Sequence, residues 1–168
     1  AEISSFQLDD CYSFKPHIAV LTNLSDNHLD RYHYQFDEYA DAKFRITQQQ
    51  IASDRFIYCA DDMETIKAMQ RHVFASKKIS FSQQQVLTEG AWLHNGQIIF
   101  KHNNTSFSMS LFNLGLRGKH NVYNSMAAGI VGSTLDIRKE LIRESLSDFK
   151  ALEHRLEWVA DVHGIEFI

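Results

Sequence analysis

The sequence predicts an α/β domain: a mostly parallel sheet flanked by helices, with a small antiparallel β layer attached. Three observations predict it. Short apolar, β-branched runs alternate with helical periodicity through the first half of the chain. An Asn-Gly turn between two apolar arms, followed by a strictly alternating segment, then marks antiparallel pairing. Two further helical patterns close the sequence. At 168 residues the chain has the size of one domain with a sizeable core.

Taken in order, His17 to Asn23 (HIAVLTN) follows Pro16 and reads as a buried strand. The segment FDEYADAKFRITQQQI is helical, with Phe36, Tyr39, Lys43, Ile46 and Gln50 recurring at helical steps. RFIYCA is a second buried strand, and DDMETIKAMQRHV a second helix with Asp61 or Asp62 as its cap. That strand-helix-strand-helix order predicts parallel pairing across helical crossovers. Residues 86–112 form the antiparallel layer, with the turn at Asn95-Gly96. There Phe107, Met109 and Leu111 alternate with Ser106, Ser108 and Ser110. A helix is expected from about His120 to Val131. A second runs from Asp136 to Phe149, with Ile137, Leu141, Leu146 and Phe149 facing inward. GIEFI at the end reads as a strand.

Composition narrows the function classes. A net charge of −4 without a basic stripe argues against nucleic acid as partner. No apolar run is long enough to span a bilayer and no signal segment opens the chain. A soluble, cytoplasmic, monomeric protein is therefore expected, and Cys11 and Cys59 read as a reduced pair.

Four stretches could carry chemistry. The loop TNLSDNHLDRY follows the first strand, where open α/β sheets gather ligands, and it offers Asp26, His28 and Asp30 as hard or borderline metal ligands. The bland alternative is a polar loop capping the next helix. Lys43 shares a helix face with Phe36, Tyr39 and Ile46. It either snorkels to solvent or is left with a neutral amine by burial. Asn121 and Asn124 are three apart, on one face of the helix after Gly118. They are solvated residues, or amides able to read the edge of adenine. Arg155 between Glu153 and Glu157 is a surface ion pair or a phosphate clamp. Neither GxxxxGK[ST] nor GxGxxG occurs in the chain.

Together and in this order, these stretches resemble the central ATPase domain of the Mur ligases. The residues that carry the resemblance are EISSFQL (Glu2–Leu8), TNLSDNHLDRY (Thr22–Tyr32), YADAK (Tyr39–Lys43), GKHNVYNSMAA (Gly118–Ala128) and EHRLE (Glu153–Glu157). The resemblance implies a P-loop NTPase-like central domain whose phosphate loop lies upstream, so that 1–168 is one partial domain and residues 165–168 start the connection to a carboxy-terminal domain. It implies ATP and Mg²⁺ as cofactors, with UDP-N-acetylmuramoyl-L-alanine and D-glutamate as substrates joined through an acyl phosphate. By the same resemblance Glu2 and His28 hold the magnesium, Lys43 becomes a carbamylated metal ligand, Asn121 and Asn124 contact the nucleotide, Arg155 contacts its phosphates, and Ser4 and Gln7 face the muramoyl substrate. The family's loop reads Asp-His-Leu-Asp, whereas here Asn27 precedes His28. The alternatives are a related ligase of folylpolyglutamate synthase type and a non-catalytic nucleotide-binding homologue.

Overall fold

The computed structural model describes every residue except 27, 28, 104, 117, 151–159, 163, 164 and 168. In chain order the elements begin with α1 (Ser5–Leu8), β1 (Ile18–Leu21), α2 (Phe36–Phe44), β2 (Arg55–Cys59), α3 (Met63–Met69) and β3 (Lys77–Ser82). They continue with β4 (Gly90–His94), β5 (Gln97–His102), β6 (Thr105–Ser110), α4 (Lys119–Thr134), α5 (Lys139–Asp148), β7 (Ala160–Val162) and β8 (Ile165–Phe167). Single 3₁₀ turns at Leu29–Tyr32, Arg45–Thr47 and Leu111–Asn113 punctuate them.

The first six strands form one sheet in sequence order, β1-β2-β3-β4-β5-β6. β1, β2 and β3 pair in parallel, with Val20 opposite Ile57 and Ile57 opposite Ile79. β3 and β4 are also parallel, through Phe81–Ala91 and Ser82–Trp92. β4, β5 and β6 then pair antiparallel. The sheet is thus mixed, with its antiparallel strands attached to the parallel ones through β4. β3 has no counterpart among the strands expected from sequence. Its KKISFS pattern buries Ile79 and Phe81, but two leading lysines mask the apolar alternation.

Alternation along the strands feeds two cores, one on each face. Ile57, Cys59, Ile79 and Phe81 join Val122, Met126 and Ile130 of α4 and Ile142 of α5. Ala19, Leu21 and Phe56 join Tyr39, Ala40 and Phe44 of α2 and Ala68 of α3 on the other face. There Phe56 stacks on Phe74 at 5.2 Å and meets Phe44 edge-on at 5.9 Å. Asn95 and Gly96 both have positive φ, 48° and 72°, as a type I′ hairpin turn requires. Both cysteines are free, and among the described residues no helix is long and apolar enough to cross a membrane.

The last helix corrects one expectation. It starts at Lys139, so Ile137 precedes it, while Phe149 is its extended C-cap. Ile137, Leu141 and Phe149 are 44%, 41% and 54% exposed, whereas Ile142 is 5% exposed. The inward stripe is Ile142 with Leu146, one i,i+4 step apart; a pattern counted from Ile137 is out of phase with it.

Candidate active site

The opening stretch is fastened to the end of α2 by side chains that donate to its backbone. Arg45 Nε donates to the Leu8 carbonyl at 2.9 Å, Gln48 Nε2 to Cys11 at 2.6 Å and Gln49 Nε2 to Tyr12 at 2.9 Å. Arg31 lies over the Phe6 ring at 4.5 Å and Arg45 over the Tyr12 ring at 5.2 Å. Asp9 accepts from the Tyr32 hydroxyl at 2.9 Å. These ties explain why so polar a stretch is ordered, and they bring Glu2 to Lys43.

Glu2 and Lys43 line a cavity of about 660 Å³ beside β1, together with Thr22 and Asn23 at the carboxyl end of that strand and Asn124 of α4. Ile3, Ile18, Val20 and Ile46 supply its apolar wall. Burial lowers the pKa of the Lys43 ammonium, and the Glu2 carboxylate partly opposes that shift. The amine is therefore easier to deprotonate than a solvated lysine.

A second cavity of about 650 Å³ shares Thr22, Asn23 and Asn124 with the first and adds Asp61, Asp62, His120 and Tyr123. The adjacent carboxylates at the end of β2 hold its two sides. Asp62 accepts from the Leu24 backbone N–H at 3.0 Å, and also from Thr65 N–H and Oγ1, capping α3. Asp61 accepts from Ser82 Oγ at 2.5 Å, from the Gln83 N–H at 2.6 Å and from the Tyr123 hydroxyl at 2.8 Å. Burial pushes the Asp61 carboxyl up, but these donors together hold it below the ordinary carboxylate range. Desolvation first, and then the Asp61 hydrogen bond, push the Tyr123 phenol well up. The Ser25 backbone N–H donates to Tyr39, which pins the loop after β1 from a third side.

Of the residues singled out in the sequence, Glu2, Lys43 and Asn124 meet at the first cavity. Asn121 lies half-buried one turn earlier on α4. Ser4 and Gln7 are turned to each other: Gln7 Oε1 accepts from Ser4 N–H at 2.9 Å and Oγ at 2.8 Å, closing the N-terminus of α1. His28 and Arg155 lie outside the described residues, as does Asn27. Among the described residues no three His, Cys, Asp or Glu side chains converge as a metal cluster. The roles of Asp61 and Tyr123 were not apparent from sequence. The consecutive acids after a strand were visible, but their pattern distinguishes a helix cap from nothing else.

The described fold and cleft define a class: an α/β domain whose polar groups collect at the carboxyl end of β1, beside the start of a helix. The sequence pattern of the Mur ligase middle domain matches residues 1–132, and the chain belongs to that family. UDP-N-acetylmuramoylalanine–D-glutamate ligase of Christiangramia forsetii is 45% identical over 167 residues, covering 99% of this chain and 38% of the relative. The enzyme of the same name from Bacteroides fragilis is 43% identical over 167 residues, covering 99% and 37%. The chain thus spans little more than a third of the length of these relatives. MurF from Acinetobacter baumannii superposes with a TM-score of 0.67 at 20% identity, over 89% of this chain and 32% of that one. MurF ligase from Thermotoga maritima in complex with ADP gives 0.63 at 20%, over 95% and 36%. At such identities the likeness concerns the fold.

Proposed function

We propose that this chain is the nucleotide- and metal-binding middle part of an ATP-dependent ligase that joins D-glutamate to UDP-N-acetylmuramoyl-L-alanine. The observation that carries the reading is the meeting of Glu2 and a lysine of lowered pKa, Lys43, in one cavity that Asn124 also lines. The identity to ligases of that name, at 45% and 43%, supports the choice of substrates.

In this reading the terminal phosphoryl group of ATP passes to the muramoyl-alanine carboxylate, releasing ADP. The amine of D-glutamate then attacks the acyl carbon, the carbon–oxygen bond to phosphate breaks, and the amine gives up a proton as the amide forms. Such chemistry is mainly positioning and charge neutralisation. The donor set fits a magnesium ion. Glu2 offers a carboxylate, and Lys43, whose burial favours the neutral amine, would add CO₂ to become an anionic oxygen ligand, with His28 as a third ligand. Bound there, the ion would neutralise charge on the transferring phosphoryl oxygens. Asn121 and Asn124 contact the base from α4, and Arg155 meets the phosphates.

Phosphate release by the full-length enzyme, given ATP, UDP-N-acetylmuramoyl-L-alanine and a panel of amino acids, tests this. Release confined to D-glutamate is expected. Release driven by another acceptor, or silence from a folded protein that binds ATP, overturns it.

A further inference from the structure

We infer that Asp61 and Tyr123 act as positioning residues for the nucleotide, fixing where the first two turns of α4 present Asn121 and Asn124; the inference rests on the nucleotide role proposed above. The need for such a device is visible in α4 itself. The helix has Gly118 as its N-cap, with φ 104°; no side chain caps it and no acidic residue stands in its first turn. Its middle is held differently. A Cβ at Gly129 would run into the Phe100 ring, and one at Gly132 would lie 3.0 Å from Ile142. That close packing fixes the helix on the sheet, while residues of its first two turns line the second cavity.

Polar ties catch this end of the helix. Tyr123, which sits between the two asparagines, donates its hydroxyl to Asp61 at 2.8 Å. Gln83 Nε2 donates to the Lys119 carbonyl at 2.9 Å. Asp61 is in turn fixed by Ser82 and by the Gln83 backbone at the end of β3. The position of the turn is thus set by the end of β3, through a carboxylate at the end of β2. The Tyr123 ring also lies 6.0 Å from Phe81, so removing the hydroxyl alone leaves its apolar contact in place.

The test uses the full-length ligase and four variants: Tyr123→Phe, Asp61→Asn, Asn124→Ala and the Tyr123→Phe/Asn124→Ala double. Tyr123→Phe is expected to raise KM for ATP about tenfold, the scale of one hydrogen bond to a charged group. It should leave kcat and KM for D-glutamate within about twofold of wild type and the urea midpoint close to it, because the ring keeps its contact with Phe81. Asp61→Asn, which keeps an acceptor oxygen, should move KM for ATP in the same direction by less. In the double variant the rise in KM for ATP should fall short of the product of the two single effects, because the tyrosine acts in part through that asparagine. If Asn124→Ala weakens ATP and Tyr123→Phe does not, the positioning role is overturned while the nucleotide reading stands. Equal losses for both substrates with a lowered urea midpoint, or effects that multiply in the double variant, also overturn it. If Asn124→Ala itself leaves KM for ATP unchanged, the nucleotide reading falls and this inference falls with it.

Discussion

The side-chain nitrogen of Lys43 lies 3.5 Å from the carbonyl oxygen of Ile3, across 40 residues of sequence. This long contact joins the end of α2 to the stretch that carries Glu2, and it places an amine and a carboxylate in one cavity. Lys43 is half-buried rather than extended into solvent, which is the condition its proposed chemistry needs. Lys43→Ala in the full-length enzyme should therefore cut phosphate release by about 100- to 1,000-fold, the scale of losing one charge-stabilising group. Added bicarbonate should not restore it, and Lys43→Arg should be as poor, since a guanidinium stays charged. Near-normal turnover in either variant would remove Lys43 from the site.

The lowered pKa of Lys43 has a definite sign. Burial disfavours the ammonium, so the folded chain releases this proton below the ordinary lysine value of 10.5. Between the lowered folded value and the unfolded one, the unfolded state binds more protons, and the contribution of Lys43 to stability rises with pH through that window. The same shift makes neutral amine available for CO₂. At fixed dissolved ¹³CO₂, a carbamate carbon signal should grow as pH rises towards 10 and be absent from Lys43→Ala. A signal of equal size in that variant would assign the carbamate to another amine.

Much of this was legible because it is periodic. Residues 18–21 and 55–59 are β-branched or aromatic runs whose alternate side chains fill two cores, and both strands stand where the pattern puts them. The Asn95-Gly96 turn was equally legible, because positive φ at two consecutive positions needs those residue types. β3 was hidden by Lys77 and Lys78, which are exposed at the sheet's rim while Ile79 and Phe81 are buried. The phase of α5 was hidden because Ile137 and Leu141 are apolar yet exposed. At the site, Lys43 stood out as a charge on an apolar stripe. Asp61 did not: its partners Ser82, Gln83 and Tyr123 lie 21 to 62 residues away, and only the fold brings them together.

A carboxylate at the far end of the sheet gives a separate, acid-side prediction. Glu89 accepts from Lys77 Nζ at 2.8 Å and pairs with His102 Nδ1 at 3.0 Å. Burial pushes its carboxyl up, but these partners together hold it below the usual glutamate value. A depressed carboxylate stabilises the fold above its unfolded pKa and loses that contribution as pH falls through the folded value. Wild type should therefore exceed Glu89→Gln in urea midpoint at pH 7, and the gap should close as pH falls from the ordinary value of 4.5. A gap that is constant across that range would show that the glutamate acts by packing alone.

The seating of α4 on the sheet yields the last prediction. Gly129 is buried in the helix interior, where alanine is ordinarily better by about 1 kcal/mol. Here the added methyl would enter the Phe100 ring. That ring cannot swing away, being 2% exposed and stacked on Phe107 at 4.6 Å. Overpacking of this kind costs about 1–3 kcal/mol, which outweighs the helical gain. Gly129→Ala should therefore lower the urea midpoint. Because relief of the clash lifts α4 and carries Asn124 with it, KM for ATP in the full-length enzyme should rise as well. A variant as stable as wild type would show that the helix re-seats without strain. A destabilised variant with unchanged KM for ATP would show that the first turn of α4 is placed independently of its middle, by the ties at Tyr123 and Lys119.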